Sequence, residues 1–215
     1  DALKSLKIDE NTIILFTSDH GCHFKTRNAE YKRSCHEASI RVPTAICGPG
    51  FNGGGRLAQL CSLIDVPPTL LDAAGIDTPE HMMGRSIKKL VADRSTDWPD
   101  DVYVQISESH PGRCVRTARW KYSVRYDAVG DDGKPVDAET ADVYTDDFLY
   151  DLQSDPWEQT NLIGMKPFAG VVAEMRERLK RRMAACGEPE AKFIDAPDSF
   201  AFQRQPEYYG GSKLS

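Results

Sequence analysis

The segment Asn11–Pro43, NTIILFTSDHGCHFKTRNAEYKRSCHEASIRVP, constrains this chain more than any other. It opens on Ile13-Ile14-Leu15-Phe16, an apolar and β-branched run with the length and content of a strand buried on both faces. The run stops at Thr17-Ser18, and Asp19-His20-Gly21 follow at once. If the strand belongs to a parallel sheet, Asp19 and His20 stand at its carboxyl end, where open α/β sheets bind ligands. A carboxylate oxygen beside an imidazole nitrogen is a pair that a cation accepts.

A run of bases follows: His23, Lys25, Arg27, Lys32, Arg33, His36 and Arg41, opposed only by Glu30 and Glu37. The whole chain carries a formal charge of −6, so this loop stands against its background. A metal beside several bases suits an oxyanion that gains negative charge. The plainer reading makes Asp19 a cap or turn former and the bases a solvated surface.

The wording of the stretch is more specific than its chemistry. FTSDHG, then Lys32, Glu37, Ser39 and Arg41-Val42-Pro43, resembles the type I, formylglycine-dependent sulfatases of the alkaline-phosphatase-like superfamily. Further matches follow in the family's order: Ile46-Cys47-Gly48-Pro49-Gly50, Leu63-Ile64-Asp65-Val66-Pro67-Pro68-Thr69-Leu70-Leu71, and Gly84-Arg85-Ser86. Val115-Arg116-Thr117 with Lys121-Tyr122, and Leu149-Tyr150-Asp151-Leu152 with Asp155-Pro156 and Asn161-Leu162, resemble the family's C-terminal subdomain. The ordered set is far more specific than any one match.

The resemblance implies an α/β fold. Residues 1–95 would be the C-terminal portion of an alkaline-phosphatase-like mixed or parallel sheet sandwiched by helices. Residues 96–215 would form a small α+β subdomain with an antiparallel sheet. It also implies that Asp19 and His20 bind Ca2+, and that Lys32 contacts the sulfate and serves catalysis. The family's nucleophile is a formylglycine made from Cys or Ser in C/S-x-P-x-R; Cys47-Gly48-Pro49-Gly50-Phe51 has Phe51 where Arg is needed, and the letters S-x-P-x-R fall only at Ser109–Arg113, among the family's later motifs and not ahead of the S-D-H-G segment where the nucleophile belongs. The expectation is therefore the C-terminal part of a sulfatase. Its nucleophile and first acidic ligands would lie in an N-terminal part missing from this chain.

Composition sets limits on partners. The acidic balance argues against general nucleic-acid binding. No apolar stretch reaches the roughly 20 residues needed to span a bilayer. The six cysteines (22, 35, 47, 61, 114 and 186) include no C-x-x-C pair. Cys47 and Cys61 lie in apolar runs and read as buried thiols, while a meeting of Cys22 with Cys35 stays open.

Along the chain, Asp1–Ile8 reads as the end of a helix, and Arg41–Cys47 and Leu57–Ile64 as strands. Asp65 suits a helix N-cap, with Leu70, Leu71 and Ala74 on the buried face of that helix. Beyond the polar stretch Asp93–Asp101, short strands are read at Val102–Ser107, Arg113–Thr117, Lys121–Arg125 and Phe148–Leu152. The span 127–147 reads as an exposed acidic insert. Val171–Ala185 reads as an amphipathic helix with Val172, Met175, Leu179 and Met183 on its apolar face and a solvated basic face.

Remaining candidates concern the substrate. His23, Lys25 and Arg27 would recognise an anionic, polyanionic sulfated glycan. His110 and Arg113 would reach the leaving group, or else belong to a surface hairpin; His81 reads as packing or as site-lining. By resemblance the enzyme would be periplasmic or secreted. The rival readings are a phosphatase, phosphodiesterase or phosphonate monoester hydrolase of the same superfamily, and a non-catalytic binding module.

Overall fold

The computed structural model describes residues 1–28, 31–108, 110–126, 130 and 138–196. Glu30, residues 127–129 and 131–137 of the acidic insert and the tail after residue 196 lie outside the described residues. In chain order the elements are α1 (Ala2–Ser5), β1 (Ile14–Phe16), α2 (Glu37–Ile40), β2 (Ala45–Cys47), α3 (Val66–Ala73) and α4 (Ile87–Ala92). Then come β3 (Asp101–Ile106), β4 (Gly112–Thr117), β5 (Trp120–Arg125), β6 (Val143–Asp151), α5 (Ala169–Ala185) and β7 (Lys192–Ile194). The chain divides into two compact units, residues 1–19 with 42–102, and residues 20–41 with those from 103 onward. The division expected near residue 95 thus falls between Val102 and Tyr103. The basic loop groups with the second unit, because its side chains pack on that unit's sheet.

In the first unit β1 pairs antiparallel with β2, Ile14 opposite Cys47 and Phe16 opposite Ala45. The expectation of a strand buried on both faces is not met: Ile14 is 48% and Phe16 66% exposed. A two-stranded sheet has no further layer with which to cover both faces. Cys47 and Cys61 are likewise exposed, not buried. Residues 57–62 form no strand, and a 3-10 turn at Leu63–Asp65 leads into α3.

That turn is fixed by the Asp65 carboxylate, which accepts from Ser62 N at 2.7 Å and from Arg85 N at 2.8 Å. Thr69 then accepts from Ile87 N at 2.9 Å, and Ser86 donates to the Asp72 carboxylate. Gly84 lies so close that a Cβ would stand 1.9 Å from the Ile64 carbonyl oxygen. The D-x-x-P-T-L-L and G-R-S wording therefore serves here as a clasp between α3 and α4. Pro68 and Thr69 are the buried residues of α3, and Leu70 is 43% exposed, because the helix packs towards α4.

The second unit holds a five-stranded sheet in the order β3-β4-β5-β6-β7. The β4–β5 and β5–β6 pairs are antiparallel, and β6–β7 is parallel. On one face α5 buries Met175, Leu179 and Met183 against Val115, Tyr122, Val124, Tyr144 and Leu149. Each such side chain contributes about 1.5–3 kcal/mol by leaving water. On the other face Cys114, Phe148, Tyr150 and Leu152 pack with Cys35 of the loop.

The two faces follow from strand alternation, with one interruption. In β6 the register slips so that Ser123 faces Phe148 while Val124 faces Asp146, leaving Asp147 as an extra residue. Such a bulge reverses the parity of everything beyond it. Tyr144 and Asp146 thereby face α5, and Phe148 and Tyr150 face the loop. Arg176 of α5 uses this, donating to both Asp146 oxygens at 2.9 and 2.8 Å.

Candidate functional site

The candidate residues lie on the loop 19–41. Asp19 is exposed, and the Ser18 hydroxyl donates to its Oδ1 at 3.4 Å. His20 Nδ1 lies 2.7 Å from the Gly21 carbonyl oxygen. A carbonyl only accepts, so Nδ1 carries the proton, and a metal would be bound through Nε2. Among the described residues no three His, Cys, Asp or Glu side chains gather around one point. Calcium takes about 6–8 oxygen ligands. An Asp–His pair by itself supplies fewer ligands than that.

Gly21 explains why the motif needs a glycine. Its N–H donates to Ser39 O at 2.8 Å, and a Cβ there would stand 2.0 Å from the Ala38 carbonyl oxygen. Gly21→Ala must push α2 away from the loop's start, an overpacking that costs about 1–3 kcal/mol. Urea denaturation of the chain should show that loss; unchanged stability would mean the two backbones separate without cost.

Beyond Gly21 the structure sorts the bases. His23 is 2% exposed, so its ring faces the interior, and the substrate contact expected of it is corrected to a packing position. Arg27 is committed too: its Nη1 donates to Glu158 O at 2.8 Å and its Nη2 to Trp157 O at 2.7 Å. Arg33 pairs with Glu108 at 2.7 Å. His36 contacts the Ser34 hydroxyl through Nδ1 and Tyr150 Oη at 3.2 Å through Nε2. Burial, reinforced by the charge of Arg27, Lys121 and His23, holds its pKa well below the ordinary histidine value, so it is neutral near pH 7. Lys25 (exposed), Lys32 and Arg41 remain: among the described residues no carboxylate lies within ion-pair distance of them. The Lys32 ammonium stands 5.6 Å from the Tyr31 ring centroid.

Arg113 does not reach outward. It is wholly buried, donating through Nε to both Glu188 oxygens at 2.9 and 2.8 Å and through Nη1 to Gly112 O at 2.8 Å. The expected leaving-group contact is corrected to an internal brace. His110 shares a small cavity with Arg27, Ser34, His36, Arg125 and Tyr150, of about 50 Å³. That is room for a water or two rather than a sugar ring. A larger open groove of about 560 Å³ in the first unit, beside Asp72, Arg85 and Trp98, contains none of the candidate ligands. His81 is exposed.

The loop is seated by residues that sequence reasoning passed over. Glu37 accepts from Lys121 at 3.2 Å and from Arg116 at 3.3 Å, and its N–H donates to Glu158 Oε2 at 2.9 Å. Lys121 also pairs with Glu158, itself buried. Burial works against ionisation of Glu37, but the Lys121 and Arg116 charges outweigh it and hold its carboxyl below the usual range. At Glu158 burial wins over Lys121 and pushes the carboxyl up. The available signal was Lys121 on a strand otherwise rich in apolar residues. Cys35 meets Cys114, whose thiol is pushed up by burial and by that neighbour; Cys22 instead accepts from Phe24 N at 3.3 Å.

Residues 29–185 match the family described as N-sulphoglucosamine sulphohydrolase, C-terminal. The chain belongs to that sulfatase family. Mouse Arylsulfatase K is 32% identical over 171 residues, covering 75% of this chain and 28% of the relative. The chain thus spans under a third of the length of such relatives. Among solved structures, BT1596, a 2-O GAG sulfatase, superposes with a TM-score of 0.67 at 25% identity over 86% of this chain and 39% of that one. The phosphonate monoester hydrolase SpPMH from Silicibacter pomeroyi gives 0.68 at 20% identity, over 86% and 37%, which shows the shared fold alone. The sulfatase family's C-terminal portion thus accounts for the α/β elements and the small antiparallel sheet.

Proposed function

We propose that this chain is the C-terminal part of a sulfuric ester hydrolase that removes sulfate from a sulfated carbohydrate. The observation that carries the reading is Lys32. It is the family's sulfate-contacting lysine by position, and its ammonium is left without a carboxylate partner among the described residues, while Arg27, Arg33 and His36 of the same loop are engaged within the fold. The relatives' names support sulfate esters over phosphate or phosphonate esters.

In this reading Asp19 and His20 help hold Ca2+, which when bound supplies Lewis-acid polarisation of the sulfate oxygens. The nucleophile, a formylglycine, comes from an N-terminal part of the same protein. Lys32 binds the sulfate and neutralises charge that grows on the bridging oxygen as the S–O bond breaks. Lys25, exposed on the same loop, is placed to recognise further anionic groups of a polysaccharide. The exposed apolar side chains of Ile14 and Phe16 suit cover by that N-terminal part. Export to the periplasm or beyond the cell fits a polysaccharide substrate. No helix among the described residues is long and apolar enough to cross a membrane.

The test is the full-length protein assayed on sulfated glycosaminoglycan fragments and on aryl sulfate, phosphate and phosphonate esters with one leaving group. Release of sulfate in preference to the other two supports the reading; the reverse order assigns the protein to the phosphoryl side of the superfamily. The 215-residue chain by itself carries no C-x-P-x-R motif, and its S-x-P-x-R run, Ser109–Arg113, ends on the Arg113 that is buried against Glu188. Purified alone it should turn over no aryl sulfate, since catalytic parts that act as a unit fail together. Turnover by that chain would overturn the shared-site reading.

A further inference from the structure

We propose that Lys121 and Glu158, with Glu37 and Arg116, are positioning residues that hold Lys32 at its working place, an inference that rests on the sulfatase reading above. Arg116 and Lys121 are directly opposed across the β4–β5 pair and so lie on one face of the sheet. Two like charges opposite one another are destabilising by themselves. Here both are sunk beneath the loop, the Lys121 side chain being fully buried and Arg116 15% exposed. They are compensated by two carboxylates that arrive from different segments, Glu37 and Glu158.

Both shoulders of the Lys32 loop end on the same residue. Before Lys32, Arg27 donates to the backbone carbonyl of Glu158; after it, the Glu37 N–H donates to the Glu158 carboxylate. Glu158 itself adopts φ +56°, a left-handed conformation that a glutamate rarely takes. Such strain persists only where surrounding contacts over-determine it. Between the shoulders, Asn28 donates to Arg33 O at 2.8 Å and so brackets Lys32, and His23 N, ahead of them, donates to Tyr31 O at 2.9 Å. Only residues 33–36 separate Lys32 from the charge cluster, and Cys35 among them is buried in the sheet-face core. Any shift of Glu37 is therefore passed to Lys32 with little slack.

The buried position of Lys121 argues against a direct role in chemistry. It acts through the loop. Because buried pairs respond strongly to loss of one partner, two variants are needed: Lys121→Met, and the shape-preserving Glu158→Gln, which still accepts from Glu37 N–H. In the full-length enzyme, each should lower kcat on a small aryl sulfate by about tenfold to a hundredfold, the scale of a misplaced catalytic group, with KM changed less. Lys121→Arg, which keeps the charge but not the point geometry, should recover part of the loss. In the 215-residue chain, hydrogen exchange of amides 21–28 and 31–41 should quicken in both variants while β4, β5 and α5 stay protected.

Loss of activity that merely tracks the folded fraction, or unchanged exchange in the loop of Glu158→Gln, would overturn the proposal. If Lys121→Met does not fold, Glu158→Gln alone decides. An inactive wild-type enzyme on every sulfate ester would remove the sulfatase reading instead, and the exchange measurement would still report whether the cluster holds the loop.

Discussion

Replacing Lys32 by alanine in the full-length protein should lower kcat on an aryl sulfate by about two to three orders of magnitude, the usual effect of removing one preorganised charge from a transition state. The fold should be untouched, because Lys32 has no carboxylate partner among the described residues and contributes only its contact over Tyr31. Steady-state kinetics beside a thermal melt separate the two effects. Lys25→Ala provides the contrast. An exposed recognition lysine should raise KM for a polyanionic glycan and leave the small aryl sulfate unaffected. Near-normal kcat for Lys32→Ala would take the residue out of the site and leave it an ordinary loop base.

Replacing Arg113 by alanine should instead unfold the second unit at far lower temperature, without any special effect on substrate affinity. Its guanidinium serves the Glu188 carboxylate and the Ile106, Gly112 and Glu139 carbonyls at once, and lies 5.6 Å from the Tyr144 ring centroid. Glu188 would be left buried, with only Tyr103 and Gln105 as donors. Breaking a buried pair in this way costs about 3–5 kcal/mol. For a chain of this size that is a fall in Tm on the order of 10 °C. The double variant Arg113→Met, Glu188→Gln should recover much of the loss, because no lone charge is left inside. A normal Tm with weakened substrate binding would restore the outward-facing role read from the sequence.

The apolar periodicity of α5 and the strand content of β4, β5 and the end of β6 are local properties, and they were legible in the order of residues; residues 143–147, read as part of an exposed insert, instead begin β6. Also legible was the order of motifs that carries the family, from S-D-H-G to the D-P and N-L turn. The proposed site residues Asp19, His20 and Lys32 are likewise named by a pattern within one loop. The division of labour among the bases was not. Arg27 finds its carbonyl acceptors 130 and 131 residues away, and Glu37 meets Lys121 across 84. Nothing local marks such partners.

The same holds for Arg113, whose sequence neighbourhood suggests a polar turn. It is drawn inside because Glu188, 75 residues further on, returns beneath the sheet beside Tyr103 and Gln105. The faces of β6 depend on a single extra residue at Asp147, which no alternation rule anticipates. The sequence by itself therefore determined α5, most of the strands of the second unit and the family. Only the tertiary structure decided which charges are neutralised inside and which are not, because neutralisation depends on distances between segments remote along the chain.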